Sequence, residues 1–147
     1  MTDERAPYAA GNAATRERLA ALLDRLTDEQ LAHDVGGGWT VTTLLAHLAF
    51  WDRRVAAIVE RWQRDGRPSA SPVDDDPINE ALGPIWSAVP PREAARLALQ
   101  AAELADARLE ALSGPLADAA LLRDILNPFR SEHRIEHIDQ IEQALQP

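Results

Sequence analysis

His133 and His137 stand four residues apart in a stretch rich in Arg and Glu. On a helix, an i, i+4 pair projects from one face with Cβ atoms about 6 Å apart, a spacing from which two imidazoles converge on one divalent cation. The same spacing also suits surface histidines or satisfied core histidines. His47 lies far upstream, at the border of an apolar stripe formed by Leu44, Trp51, Val55 and Ile58. An imidazole there needs a partner or bears a desolvation cost. Two roles fit: a core histidine bonded to a neighbouring helix, or a third ligand offered by a facing helix, as bundle interiors commonly build metal sites. His33, beside Asp34, receives no role.

The elements that must position these side chains are helical. Apolar residues recur at i, i+3, i+4 and i+7 throughout, and strand-like alternation is missing. A first helix is expected from an N-cap at Asn12 to about Leu26, with Leu19, Leu22, Leu23 and Leu26 on one stripe. Thr27-Asp-Glu-Gln30 reads as a capping box opening a short turn that finishes near Ala32. Gly36, Gly37 and Gly38 read as a flexible connection, because a phosphate-binding loop would need a preceding strand and a Gly-Lys-Ser/Thr ending. Thr40 then caps a second long helix to about Arg64, on the order of 36 Å at helical rise. Residues 66–77 turn to Pro, Ser and Asp and form a long crossover loop. Its Asp74 to Asp76 run lacks the spaced ligands of an EF-hand.

A short helix from Ile78 to Ala88, weakened by Gly83-Pro84, precedes a third long helix opened by Pro90-Pro91 and running to about Leu112. Its expected inward residues are Leu97, Ala101, Leu104, Ala105, Leu109 and Leu112. Asn127-Pro128 caps and starts the last helix, to about Leu145. The expected fold is all-α: a four-helix bundle with a long crossover loop between the second and third long helices.

A chain of 147 residues suits one domain over 1–147, with about 12–145 structured. With 24 acidic against 15 basic residues the formal charge is −9, so the chain lacks the basic face that nucleic-acid binding requires. No cysteine is present, which excludes disulfides, thiolate metal sites and an intrinsic thiol nucleophile. The N-terminus has mixed charge without an apolar leader, and no stretch approaches a membrane span. Cytoplasmic residence is the expectation.

Two segments carry a resemblance. Trp39-Thr-Val-Thr-Thr-Leu-Leu-Ala-His47-Leu-Ala-Phe-Trp51-Asp52 and Phe129-Arg-Ser-Glu-His133-Arg-Ile-Glu-His137-Ile-Asp-Gln140-Ile-Glu resemble the DinB/YfiT-like superfamily, and Asp76-Pro-Ile-Asn79 is also similar to its members. The similarity extends from about Asn12 to Leu145. It implies a four-helix bundle in which His47, His133 and His137 bind a divalent metal, usually zinc or nickel. It further implies metal-dependent hydrolases, or transferases and isomerases that use a low-molecular-weight thiol, and a homodimer. It does not imply DNA binding.

Three neutral imidazoles leave a cation its full charge and at least one open position, where water, a carbonyl or a thiolate can be activated. On the helical wheel Trp51 and Arg54 neighbour His47, while Arg130 and Gln140 lie one turn to either side of the His133/His137 pair. Arginine forks there suit a substrate carboxylate, or pair with the surplus of acids. Glu136, next to His133 in angle, suits a general base or a partner that orients an imidazole, as Gln140 does, or a solvated surface position. The expected function is a metal-dependent hydrolase or thiol transferase acting on a small molecule in stress response or detoxification. The alternative is a non-catalytic metal- or ligand-binding bundle.

Overall fold

The computed structural model describes residues 6–147, so residues 1–5 of the mixed-charge N-terminus lie outside the described residues. The elements run in the order α1 (Ala9–Arg25), α2 (Asp28–Leu31), β1 (Asp34–Gly36), β2 (Trp39–Thr40), α3 (Val41–Asp65), α4 (Asp75–Ser87), α5 (Pro91–Glu110), α6 (Gly114–Leu121) and α7 (Arg130–Ala144). The chain is all-α apart from the small β1–β2 hairpin. α3 packs along α5, α1 lies against α5 and α7, and α7 also meets α3, which makes a four-helix bundle. α4 interrupts the passage from α3 to α5 and packs on α3.

Local chemistry sets most boundaries. Thr27 accepts from the Gln30 amide while Gln30 accepts from the Thr27 amide, so the expected capping box is formed. Thr40 caps α3 with the Thr43 hydroxyl as its reciprocal partner. Asn12 is a correction. α1 begins earlier, at Ala9, and the buried Asn12 side chain instead joins α1 to the approach of α7, donating to the Pro128 carbonyl at 2.8 Å and accepting from the Ser131 amide at 2.9 Å. Asn127 likewise stands ahead of the helix it was expected to cap. Its Oδ1 accepts from the Phe129 amide at 3.0 Å, a local turn that delays α7 to Arg130 and leaves Pro128 outside it.

The glycine run is not a loose link but the turn of a hairpin. Gly37 and Gly38 have φ of 63° and 81°, the paired left-handed geometry of a tight two-residue turn. Pairing joins Asp34 to Thr40 and Gly36 to Trp39, so Val35 is the extra residue of a bulge. α4 starts at Asp75 and continues through Gly83-Pro84 to Ser87. Gly83 faces the Trp39 indole, and a Cβ there would sit 3.4 Å from its Nε1. α6, whose Pro115 falls in its first turn, has no counterpart in the sequence reading.

The core is divided in three along the bundle. One apolar cluster takes Leu19 and Leu22 of α1, Leu44, Leu45 and Leu48 of α3, Ala98 of α5 and Ile138 and Ile141 of α7. A second, at the other end, takes Tyr8, Val55, Val59, Trp62 and Leu109. Between them every long helix contributes buried polar groups: Asn12 and Thr15, Asp52, Asp106, and Arg130 with Arg134. Arg134, fully buried, donates to both Asp52 and Asp106 and to the Asn12 and Ala102 carbonyls, which saturates its guanidinium. Burial alone would lower the Arg134 pKa, yet the facing Asp52 and Asp106 carboxylates hold it above its ordinary value.

Candidate metal centre

Beside this polar layer, the second turn of α3 and the first half of α7 bring three imidazoles together. His47 Nε2 lies 3.1 Å from His133 Nε2 and 3.2 Å from His137 Nε2, and the latter two are 3.1 Å apart. The i, i+4 geometry aligns the α7 pair as expected. The α3 contribution depends on tertiary packing: Trp39 and Trp86 meet the His47 ring edge-on at centroid distances of 5.1 and 5.2 Å and leave its Nε2 facing α7.

Mutual hydrogen bonding cannot satisfy this triangle. Each Nε2 presents one in-plane direction, either a lone pair or an N–H, so three atoms in a ring of contacts always leave one pair mismatched. A cation accepting three lone pairs removes the conflict. At metal–nitrogen bonds of about 2.0–2.1 Å, a tetrahedral edge is about 3.3 Å and an octahedral one about 2.9 Å, which brackets the observed separations. The donor set therefore fits a divalent cation, and among the described residues this group contains no fourth protein ligand.

The outer nitrogens differ. His137 Nδ1 is 2.9 Å from Gln140 Oε1, and Gln140 Nε2 donates to the Val35 carbonyl at 3.3 Å. The amide is thus turned with its oxygen toward the ring, which places the proton on Nδ1 and the lone pair on Nε2, the tautomer a metal needs. His133 Nδ1 faces Arg130 Nη2 at 3.4 Å. A guanidinium only donates, so this contact and Nε2 ligation exclude each other in a neutral imidazole, and loading the site requires Arg130 to give it up. Among the described residues, His47 Nδ1 is one of two buried side-chain polar atoms without a hydrogen-bond partner.

A cavity of about 360 Å³ opens on the cluster, bordered by His47, His133, Trp51, Asn79, Arg130 and Glu136. Arg130 is held by its Nε bond to Asp52 at 2.7 Å. Trp51 donates to Asn79 at 2.9 Å, which fixes the indole as a wall. Glu136 is exposed at the rim. Arg54 is elsewhere. It donates to the Ser71 carbonyl at 2.6 Å, stacks over Trp51 at 5.8 Å and borders a separate groove with Phe50 and Trp86. His33 is exposed, apart from the cluster. Asp52, Asp106 and Arg134 were not singled out from the sequence, although each occupies a position on an inward stripe, where a charge is itself a sign of a buried partner.

Residues 12–140 match the family model of the DinB superfamily. The chain belongs to the DinB superfamily. It matches no curated protein and no solved structure. In this DinB-superfamily bundle, no helix among the described residues is long and apolar enough to cross a membrane.

Electrostatics keep the cluster ready for a cation. Burial first, then the neighbouring His137 and Arg130, push His47 down to about 4. Burial, then Arg130, pushes His133 down to about 2. Neutral imidazoles at neutral pH are the ligating form. The same shifts fix the acid response of the metal-free DinB-superfamily protein. Above the ordinary histidine pKa of about 6.5, folded and unfolded forms are equally deprotonated at these sites. Below it the unfolded chain takes up protons that folded His47 and His133 refuse, so stability falls as pH drops from about 6.5 through about 4. Each such proton contributes about 1.4 kcal/mol per pH unit. Urea midpoints measured in chelator should decline over this range, and a His47→Gln variant should decline less steeply. Equal slopes would contradict the assignment.

Proposed function

We propose that this protein is a divalent-metal enzyme, with zinc or nickel held by His47, His133 and His137. It hydrolyses a small molecule, or transfers a group from one to a low-molecular-weight thiol. The observation carrying this reading is the triangle of Nε2 atoms at 3.1–3.2 Å, without a fourth protein ligand in the group, facing a cavity. When bound, the cation supplies Lewis acidity that polarises a carbonyl or acidifies a coordinated water or thiol.

The chain's own residues do the rest. Glu136, at the cavity rim, takes the proton of the attacking group. Arg130, pinned by Asp52, offers its remaining N–H groups to an anionic or carbonyl oxygen of the substrate. Trp51 forms an apolar wall, with Arg54 acting on it through the stacked guanidinium. Gln140 orients His137. The setting is stress response or detoxification in the cytoplasm, as a homodimer that binds neither nucleic acid nor membrane. The net charge of −9 supports the former exclusion.

The test is a panel of esters, amides and thiol-reactive electrophiles, the last with small thiols added, given to zinc- and nickel-loaded protein. Turnover should disappear with chelator, return with metal, and fall by about a hundredfold or more in Glu136→Gln, the usual weight of a general base. Turnover indifferent to chelation would overturn the reading. Stoichiometric metal with no turnover on any substrate would favour a non-catalytic binding bundle.

A further inference from the structure

We propose that Gln140 is a positioning residue that couples the glycine hairpin to the cation site, so that metal binding fastens the hairpin onto the bundle; this rests on the metal-binding reading above. The bulge leaves Val35 outside the β1–β2 ladder, and its carbonyl is taken by Gln140 Nε2 at 3.3 Å. The other end of the same amide accepts from His137 Nδ1 at 2.9 Å. One side chain therefore joins a metal-facing imidazole to a loop backbone.

Val35 and Trp39 rest against the apolar core, whereas the glycine tip between them is exposed. The hairpin has a two-rung ladder, three consecutive glycines at positive φ, and bonds from Gly36 N to Asp34 Oδ1 and from Val41 N to the His33 carbonyl at its base. Beside the tip lies an open space of about 450 Å³ bordered by Gly36, Gly37, Leu44, His137 and Gln140, so the glycines themselves make few apolar contacts. The second strand of the hairpin carries Trp39, which meets the His47 ring at 5.1 Å. The hairpin thus touches the surroundings of two of the three imidazoles.

Direction follows from polarisation along the chain of bonds. When Nε2 of His137 gives its lone pair to a cation, Nδ1–H becomes a stronger donor. The Gln140 carbonyl that accepts from it is polarised, and its NH₂ donates more strongly to Val35. In the opposite sense, the Val35 carbonyl prevents the amide from flipping, because a flip would set two oxygens against each other. His137 is thereby kept in its ligating tautomer.

Hydrogen exchange of the Val35–Thr40 amides, with and without zinc and alongside zinc titrations, tests this with the full chain. Zinc should slow exchange there by about fivefold or more in the wild type, as a local opening becomes less frequent. Gln140→Glu keeps the acceptor for His137 and removes the donor to Val35. It should bind zinc within about threefold of wild type or more tightly, yet lose the slowing. Gln140→Leu removes both bonds and should lose about 10–100-fold in zinc affinity together with the slowing. Zinc binding without hairpin slowing in the wild type, or undiminished slowing in Gln140→Glu, overturns the coupling while leaving the metal site intact. No zinc binding at all overturns both.

Discussion

Replacing His47 by alanine is expected to abolish stoichiometric metal binding while leaving the bundle folded. Loss of an outer hydrogen-bond partner to a ligating histidine typically costs about 10–100-fold in metal affinity, and loss of a ligand costs more, because only His133 and His137 would remain and both come from one helix. The fold should survive. His47 contributes one ring to a cluster whose mutual hydrogen bonds are already frustrated, and its Nδ1 has no partner to lose. Untagged wild type should carry about one zinc or nickel per chain and gain about 4 kcal/mol of apparent stability at a thousandfold excess over Kd. His47→Ala should show neither, with unchanged far-ultraviolet circular dichroism. Equal, sub-stoichiometric metal in both proteins would remove the site.

Asp52→Ala is expected to be the most destabilising single substitution in the polar layer. Asp52 is 1% exposed and bridges Arg130 at 2.7 Å and Arg134 at 3.1 Å. Without it, Arg130 loses its only carboxylate partner among the described residues, and the buried Arg134 keeps only Asp106, which Arg16 also engages. Breaking a buried ion pair in this way costs about 3–5 kcal/mol, which for a chain of this size corresponds to about 10–15 °C in Tm. Asp139→Ala is the comparison. Asp139 pairs with Arg18 at 2.7 Å, but both side chains are substantially solvated, so the expected loss is about 1 kcal/mol or less. Equal effects in the two variants would mean that the interior network is screened as a surface pair is. Asp52→Ala also releases Arg130 from the cavity floor, so its effect on turnover should exceed what stability alone explains.

Much of the fold and the heart of the site were legible because they depend on local rules. The spacing of His133 and His137, the apolar stripe of α3 and the caps at Thr27 and Thr40 are all statements about residues within one or two turns of one another. What escaped depended on neighbours distant in sequence. Asn12 and Asn127 carry ordinary capping residue types, but Asn12 is recruited by the start of α7 and Asn127 closes its own turn. Asp52, Asp106 and Arg134 look like common charged residues of soluble helices until four helices are assembled around them. On α5 and just past its end the expected Ala101, Ala105, Leu109 and Leu112 are buried, but Leu97 and Leu104 are only half-buried, and the small Ala94, Ala98 and Ala102 take inward places that size alone does not suggest. The glycines after Asp34 fit a flexible link as well as a turn, and only the flanking pairs of the hairpin decide between them.

The alanine face of α5 has a consequence for how this architecture can change. With methyl groups in place of longer side chains, α5 and α3 approach closely along their seam, and truncation there can free almost no volume, whereas enlargement would push the two rods apart. New shapes for an occupant must therefore arise outside that seam, in α4, the 66–74 connection and the hairpin, where insertions and residue swaps leave the helical frame undisturbed. The bundle separates an inflexible chassis from an adjustable mouth, and diversification of what the mouth accepts falls to the second alone.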